Sequence, residues 1–474
     1  MLKTFLKKNN NVASYVTILS IVLVLIFNVC LAIFQPIQLN FYNGHKLYLI
    51  GMFLTILFIA VLGMISMKQE SILKKNLFLL VLVVVYIFVF FHSNFQSCDY
   101  LTFLKNWVLK YRKMSIKEAL FSVVDVSNYT PAYNYFLILI AKLGGESLFA
   151  IKYLTFLWSI LLAFVIEKII NFILKDKFSF LRFAVFLAFP PILLEYAPWG
   201  QCDAIYTTLA MLAFLFALKK KSKLSFMFIG LSFAFKLQFL FIVPILFVML
   251  IVKDENGKHY LKWKDLWIAP LMYVVNFVPA LAGRSIVDLL MVYLNQSQYD
   301  TRISGTCGNF CYLFHFFGWA EYGTTLYNVL TIFCVVLTLS LMVFVLIVVF
   351  KTNKSRKLNA KDFSFLGVLF AFLMVFFMPK MLDRFYFIAM CLAIVNFFVN
   401  KNKLNLLVMM LVSNTLYFMM YLHFFIDLPE FLSVLTSVIG LISAYVNMAC
   451  LFWIFYKDYC KLLLKKTKGD SLNE

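Results

Sequence analysis

HSNFQSCDYLTFLKNWVLKYRKMSIKEALFSVVDVSNYTPAYNYFLILIAKL, residues 92–143, interrupts a chain that otherwise alternates long apolar runs with short lysine-rich breaks. It opens on Ser97-Cys98-Asp99-Tyr100 and passes Trp107 among five basic residues, Lys105, Lys110, Arg112, Lys113 and Lys117. It then reads Asn128-Tyr129-Thr130-Pro131-Ala132-Tyr133 before a short apolar run. Such a stretch is too long and too aromatic for an idle connector, and long loops on a rigid scaffold tend to carry function. Its closing run decides the topology. As a helix, Pro131 to Leu143 covers about 20 Å, short of the ~30 Å hydrocarbon core of a bilayer. Counting it as a span would invert everything downstream and put Lys219, Lys220 and Lys221 on the outer side, against the positive-inside rule. Residues 131–143 are therefore expected to form an interfacial or re-entrant helix within an outer loop.

Composition agrees with a membrane setting. The 474 residues are 63% hydrophobic and 14% charged, with a mean hydropathy of +0.90. That describes an all-α polytopic membrane protein rather than two soluble domains. The 56 Phe and 25 Tyr fit lipid-facing helices and interfacial belts. The net charge of +21 sits between spans, so orientation explains it and nucleic acid is not expected as a partner. The nine Cys show no zinc-type spacing. Cys307 and Cys311 share an expected outer loop, where either a disulfide or two unpaired small residues fits. The basic stretch before the first apolar run leads into a full-length span, not a cleavable signal peptide.

Outward from the organising loop, apolar runs lie near 14–34, 47–66 and 76–92, then 147–171, 180–195 and 203–218. Lys3, Lys7 and Lys8, then Lys68, Lys74 and Lys75, place the early inner flanks. The stretch 224–252 is broken by Lys236-Leu237-Gln238 into halves of ~21 Å as helices, too short to cross easily. A hairpin with its tip near Lys236 is expected, and a lysine at such depth is a functional candidate unless it snorkels from a helix end. Further spans are expected near 266–282, 324–350, 362–378, 385–400, 404–423 and 431–456, with a second polar outer loop at 283–323. The total is about fourteen crossings with both termini cytoplasmic. The chain divides into added N-terminal spans at 1–75, a module at 76–282 with its outer loop at 92–146, the loop 283–323, and C-terminal spans with a basic tail at 324–474.

Three polar knots are expected on the outer face: Asp99; Trp199-Gly200-Gln201-Cys202-Asp203, with Lys236; and Lys380, Asp383 and Arg384. Together they offer carboxylates, fixed cations and aromatic faces. Moving a glycosyl unit from a phosphate to a hydroxyl needs a carboxylate to take the acceptor proton. It also needs cations to stabilise the departing phosphate. Each piece has a plainer role: Asp383 and Arg384 as a turn-capping pair, Trp199 as an interface anchor, and the basics of 105–117 as lipid-headgroup ligands.

At these residues the chain resembles a family. Cys98-Asp99-Tyr100 with Trp107, Asn-Tyr-Thr-Pro-Ala-Tyr at 128–133, Trp-Gly-Gln-Cys-Asp at 199–203, Phe-Lys-Leu-Gln at 235–238 and Pro-Lys-Met-Leu-Asp-Arg-Phe-Tyr at 379–386 occur in this order. They are similar to the prokaryotic relatives of the glycosylphosphatidylinositol mannosyltransferases, within the multi-span GT-C class. The resemblance covers roughly residues 76–390. It implies Asp99 as the catalytic acid/base residue, and a substrate site drawn from Tyr100, Trp107, Tyr129, Tyr133, Trp199, Gln201, Asp203, Lys236, Gln238, Lys380, Asp383 and Arg384. It also implies an inverting transfer of mannose or another hexose from a polyprenyl-phosphate donor to a glycolipid or glycan acceptor, at the outer face of a bacterial plasma membrane. No cofactor is implied, and a divalent metal is left open. The chain departs from the family pattern at Asn128, where an aspartate is usual, and at Leu382-Asp383, where His-Glu is usual. A transporter or flippase, or a polymerase of lipid-linked glycans, is the alternative. The former would show paired broken helices in corresponding repeats.

Overall fold

The computed structural model describes residues 43–297, 301–400, 407–411, 413–415 and 430–459. The expected span at 14–34 with its lysine flank, most of that at 404–423, Gln298 and the tail beyond Tyr459 lie outside the described residues. Among the described residues the fold is helical without a strand. Helices satisfy every backbone group internally, as a hydrocarbon environment demands. Seven are long and apolar enough to cross a membrane: His45–Ser66, Ile72–His92, Ser147–Leu174, Thr325–Ser355, Ala360–Phe377, Asp383–Asn400 and Val434–Tyr456. Phe180–Leu187 and Pro190–Trp199, bent by 54° at their break, reach that length and hydropathy only as a pair. The chain is a multi-pass membrane protein.

It forms two compact units, residues 1–211 with 276–292, and 212–275 with 293–474. In the first unit, α1 (Asn43–Ser66) packs on α2 (Ile72–His92) and α7 (Ser147–Leu174). Helix α1 buries Tyr48, Met52, Ile56 and Ile59 at helical spacing, while Leu47, Ile50, Leu54 and Phe58 face outward as lipid contacts. Between α2 and α7 lie a π-turn (Tyr100–Leu104) and the short helices α3 (Lys105–Lys113), α4 (Ile116–Phe121), α5 (Val123–Val126) and α6 (Pro131–Leu143). None of these is long enough to cross, and α6 has the 13 residues expected of a non-spanning helix. The turn that follows α7 is held by fully buried Glu167. Its carboxylate receives the Arg182 guanidinium at 2.8–3.1 Å and the Ser179 amide at 2.8 Å. Helix α8 (Phe180–Leu187) is followed by α9 (Pro190–Leu194), whose two leading prolines need no amide donors at a helix start. A π-helix (Glu195–Trp199) then ends at Gly200, with φ +69°.

The unit boundary falls inside α10 (Asp203–Leu218). In the second unit, α11 (Ser222–Phe235) stops at Lys236, and a 3-10 turn (Leu237–Ile242) leads into α12 (Val243–Ile251). Lys220 pairs with Asp254, and Lys262 N donates to Ser222 Oγ at 2.9 Å, so both ends of the broken stretch share one side. The arms splay: α11 packs along α13 (Ile268–Val275), and α12 along α18 (Ala360–Phe377). Gly230 makes the α11–α13 approach possible, since a Cβ there would lie 2.2 Å from Ala269 O.

The single span expected at 266–282 is instead two short helices, α13 and α14 (Val278–Leu281). Pro279 supplies no amide donor, so the helix ends before it and restarts. Loop 283–323 contains α15 (Ile286–Ser297) and α16 (Phe310–Phe316). Helix α17 (Thr325–Ser355) exposes much of its apolar surface, whereas α18 and α19 (Phe387–Asn400) are the buried core of this unit, with α20 (Glu430–Trp453) beyond. Cys307 and Cys311 are free and buried, and Cys311 Sγ instead lies 3.4 Å from Cys334 Sγ.

Candidate functional site

In the first unit, helix α7 positions both polar knots. The last carbonyls of α2 have no intrahelical partner. Lys152, fully buried on α7, sends its Nζ to His92 O at 2.8 Å, Ser93 O at 2.9 Å and Phe95 O at 2.7 Å. His45 meets Ser93 Oγ at 2.6 Å on the same turn. A turn further along α7, Thr155 Oγ1 donates to Gln201 O at 3.0 Å. At its start, Ser147 Oγ meets Tyr100 OH at 2.9 Å. Gly200 lies against Lys152, whose Cγ would be 3.3 Å from an added Cβ. The two knots are also tied directly, Ser97 Oγ donating to Trp199 O at 2.8 Å.

These ties bring Asp99 and Gln201 together across about a hundred residues of sequence. Gln201 Nε2 donates to Asp99 Oδ2 at 2.6 Å, and both side chains are buried. Gln201 Oε1 accepts from Tyr129 OH at 3.5 Å, a long contact. An aromatic series runs from Phe103 through Trp107 and Tyr129 to Tyr133, with ring centroids 5.7, 5.5 and 5.5 Å apart. Asn134 locks the Asn128–Tyr133 turn. Its Nδ2 donates to the carbonyls of Tyr129 and Thr130, both at 3.1 Å, and its Oδ1 accepts from Tyr111 at 3.0 Å and Ser127 at 2.8 Å. Asp203 heads α10, and its amide donates to the buried Glu195 carboxylate at 3.0 Å. Burial, with Cys202, Tyr129, Glu195 and Asp203 nearby, pushes the Tyr133 phenol well above its usual range.

In the second unit, Lys236 is buried in extended backbone (φ −159°, ψ 140°) where α11 breaks. Gln238, half-buried, keeps its Oε1 without a hydrogen bond among the described residues. Phe241 of the same turn meets the Phe385 ring at 6.1 Å, so the turn and the 379–386 knot adjoin. Lys380 has φ +60°, a conformation side chains rarely take, and its amide donates to Ile303 O at 2.8 Å. Gly305 N donates to Met381 O at 2.9 Å. Asp383 Oδ1 accepts the Arg384 amide at 2.8 Å as a turn cap, and the Arg384 guanidinium lies 6.0 Å from the Phe385 ring.

Each unit thus gathers its own share of the expected residues: Asp99, Tyr100, Trp107, Tyr129, Tyr133, Trp199, Gln201 and Asp203 in one, and Lys236, Gln238, Lys380, Asp383 and Arg384 in the other. Lys152 and Asn134 belong to the first set and were not singled out by sequence, and Glu195, which opens the polar stretch 195–203, was given no role there. The signal available for Lys152 and Glu195 was a charge inside an apolar run. No three His, Cys, Asp or Glu side chains among the described residues group as a metal site requires. No family model matches the chain, and no curated protein matches its sequence.

Proposed function

We propose that this chain is a GT-C-type membrane glycosyltransferase, moving mannose or another hexose from a polyprenyl-phosphate donor to a hydroxyl of a lipid-linked or cell-envelope glycan. The observation that carries this is the buried Asp99 carboxylate, held at 2.6 Å by Gln201 and flanked through Tyr129 by the Trp107–Tyr133 aromatic series. A buried carboxylate with aromatic neighbours suits proton abstraction beside a sugar ring. The acceptor oxygen attacks the anomeric carbon, its proton passes to Asp99, and the carbon–oxygen bond to phosphate breaks with inversion. Phosphate binding is assigned to Lys236 and Arg384, cations in or beside apolar surroundings, where charge stabilisation is strongest. The same proposal includes about fourteen crossings, an outer-face site and cytoplasmic termini in a bacterial plasma membrane.

The test is mass analysis of membrane lipids and envelope glycans from cells with and without the protein. A hexose-sized mass present only with the protein supports transfer and names the sugar class. An unchanged inventory with altered passage of lipid-linked glycan across the membrane identifies a flippase instead.

A further inference from the structure

Helix α3 has two faces. Leu104, Trp107, Val108 and Tyr111, at helical spacing, are buried. Lys105, Asn106, Leu109, Lys110 and Lys113 are exposed, and an open groove of about 390 Å³ is lined by Thr102, Asn106, Trp107, Leu109, Lys110 and Lys113, with Lys105 outside its lining. Basic residues late in a helix ordinarily serve its C-terminal carbonyls. Here that role is filled by Lys142, whose Nζ donates to Tyr111 O at 2.7 Å and to Met114 O. Arg112 is likewise engaged, its Nη2 donating to Gly145 O at 2.7 Å. The neighbouring carboxylates are occupied too: Glu118 closes a capping box with Ser115, and Asp125 pairs with Arg284. Among the described residues Lys105, Lys110 and Lys113 have no ion-pair partner, and no acidic residue falls between Lys105 and Lys117.

Apolar side chains share this surface. Leu109 is exposed in the middle of the basic face, and Leu101, Ile116, Leu139 and Leu143 are exposed on the same loop. An acidic soluble partner would match the charges and leave the leucines in water. A bilayer surface matches both, with phosphates opposite lysines and leucines in the acyl boundary. We propose that α3 lies on the headgroup layer and that its groove binds the phosphate of an anionic phospholipid of the surrounding bilayer. Lys110 is eleven residues beyond Asp99 on one helical run, about 16 Å at 1.5 Å per residue. A phosphate at that end of the groove is too far away to be the one leaving a sugar at Asp99, while Trp107 lines both the groove and the aromatic series beside Asp99, so the polyprenyl-phosphate arm of the experiment below distinguishes the two sites.

The experiment uses the full chain in nanodiscs of phosphatidylcholine carrying photoactivatable phosphatidylglycerol, with cross-linked peptides mapped by mass spectrometry. Cross-links are expected to concentrate on residues 101–113. A basic residue at an anionic surface contributes about 5-fold in binding, so joint Lys105→Gln, Lys110→Gln and Lys113→Gln substitution should weaken the contact on the order of 100-fold. Replacing the three by Arg should preserve it, which separates charge from folding. Equal labelling by a phosphatidylcholine probe overturns the proposal. So does displacement by millimolar inorganic phosphate, which marks a free-anion site, or by stoichiometric polyprenyl phosphate, which marks a substrate subsite.

Discussion

The Asp99–Gln201 pair and the 379–386 turn are both polar knots in an apolar chain, yet they are held by different means. The first is pinned by side chains of one helix, Lys152, Thr155 and Ser147 of α7, with Asn134 fixing the adjoining aromatic turn. The second is pinned by backbone, through Lys380 N to Ile303 O and Gly305 N to Met381 O, at the cost of a left-handed residue. A side-chain lattice sets the angle and distance of a carboxylate closely and fails when one member is lost. A backbone clasp tolerates side-chain exchange.

The largest effect should come from the carboxylate itself. Asp99→Asn keeps shape and one acceptor oxygen but cannot take a proton, so transfer should fall by about 10²–10⁴-fold while the protein still inserts. Asp125→Asn is the control, because that carboxylate already pairs with Arg284. Wild-type transfer by Asp99→Asn would remove Asp99 from the chemistry.

Lys152→Met attacks the lattice without touching Asp99. Ser93 O and half-buried Phe95 O lose the ammonium, and His92 O keeps only the Phe95 amide at 3.1 Å, so unfolding stability should drop by roughly 2 kcal/mol or more. Denaturant titration of the purified protein measures this. An unchanged midpoint would mean that other donors serve those carbonyls and that the first knot is not held by α7.

At the helix break of α11, Lys236→Met should weaken donor use about 10- to 150-fold, the worth of a lost charge-assisted hydrogen bond, and Lys236→Arg should retain part of it. Donor kinetics equal to wild type in a folded Lys236→Met protein would return this lysine to a packing role.

The smallest effect separates strain from charge at Lys380. Lys380→Gly relieves the left-handed penalty of about 1 kcal/mol, so stability should hold or rise slightly despite the lost side chain. A clear loss of stability would show that the side chain, and not the backbone clasp, secures the turn.

Much of this was legible in the sequence. Run lengths and lysine breaks marked α2, α7, α17 and α18, and the 13-residue length of 131–143 marked α6 as too short to span. The break at Lys236 was legible because a charge and a glutamine interrupt an apolar run, and the structure breaks there into extended backbone. These are local properties, set by how many apolar residues a bilayer requires. The run at 266–282 misled because hydropathy does not register that Pro279 has no amide to donate, so one expected span became two short helices.

What only the tertiary structure decided is which polar groups meet. Nothing along the chain ties Lys152 to His92, Ser93 and Phe95, or Gln201 to Asp99. Those pairings exist because the Glu195–Trp199 π-helix packs against both α2 and α7, and a buried donor must find acceptors where that packing sets it down.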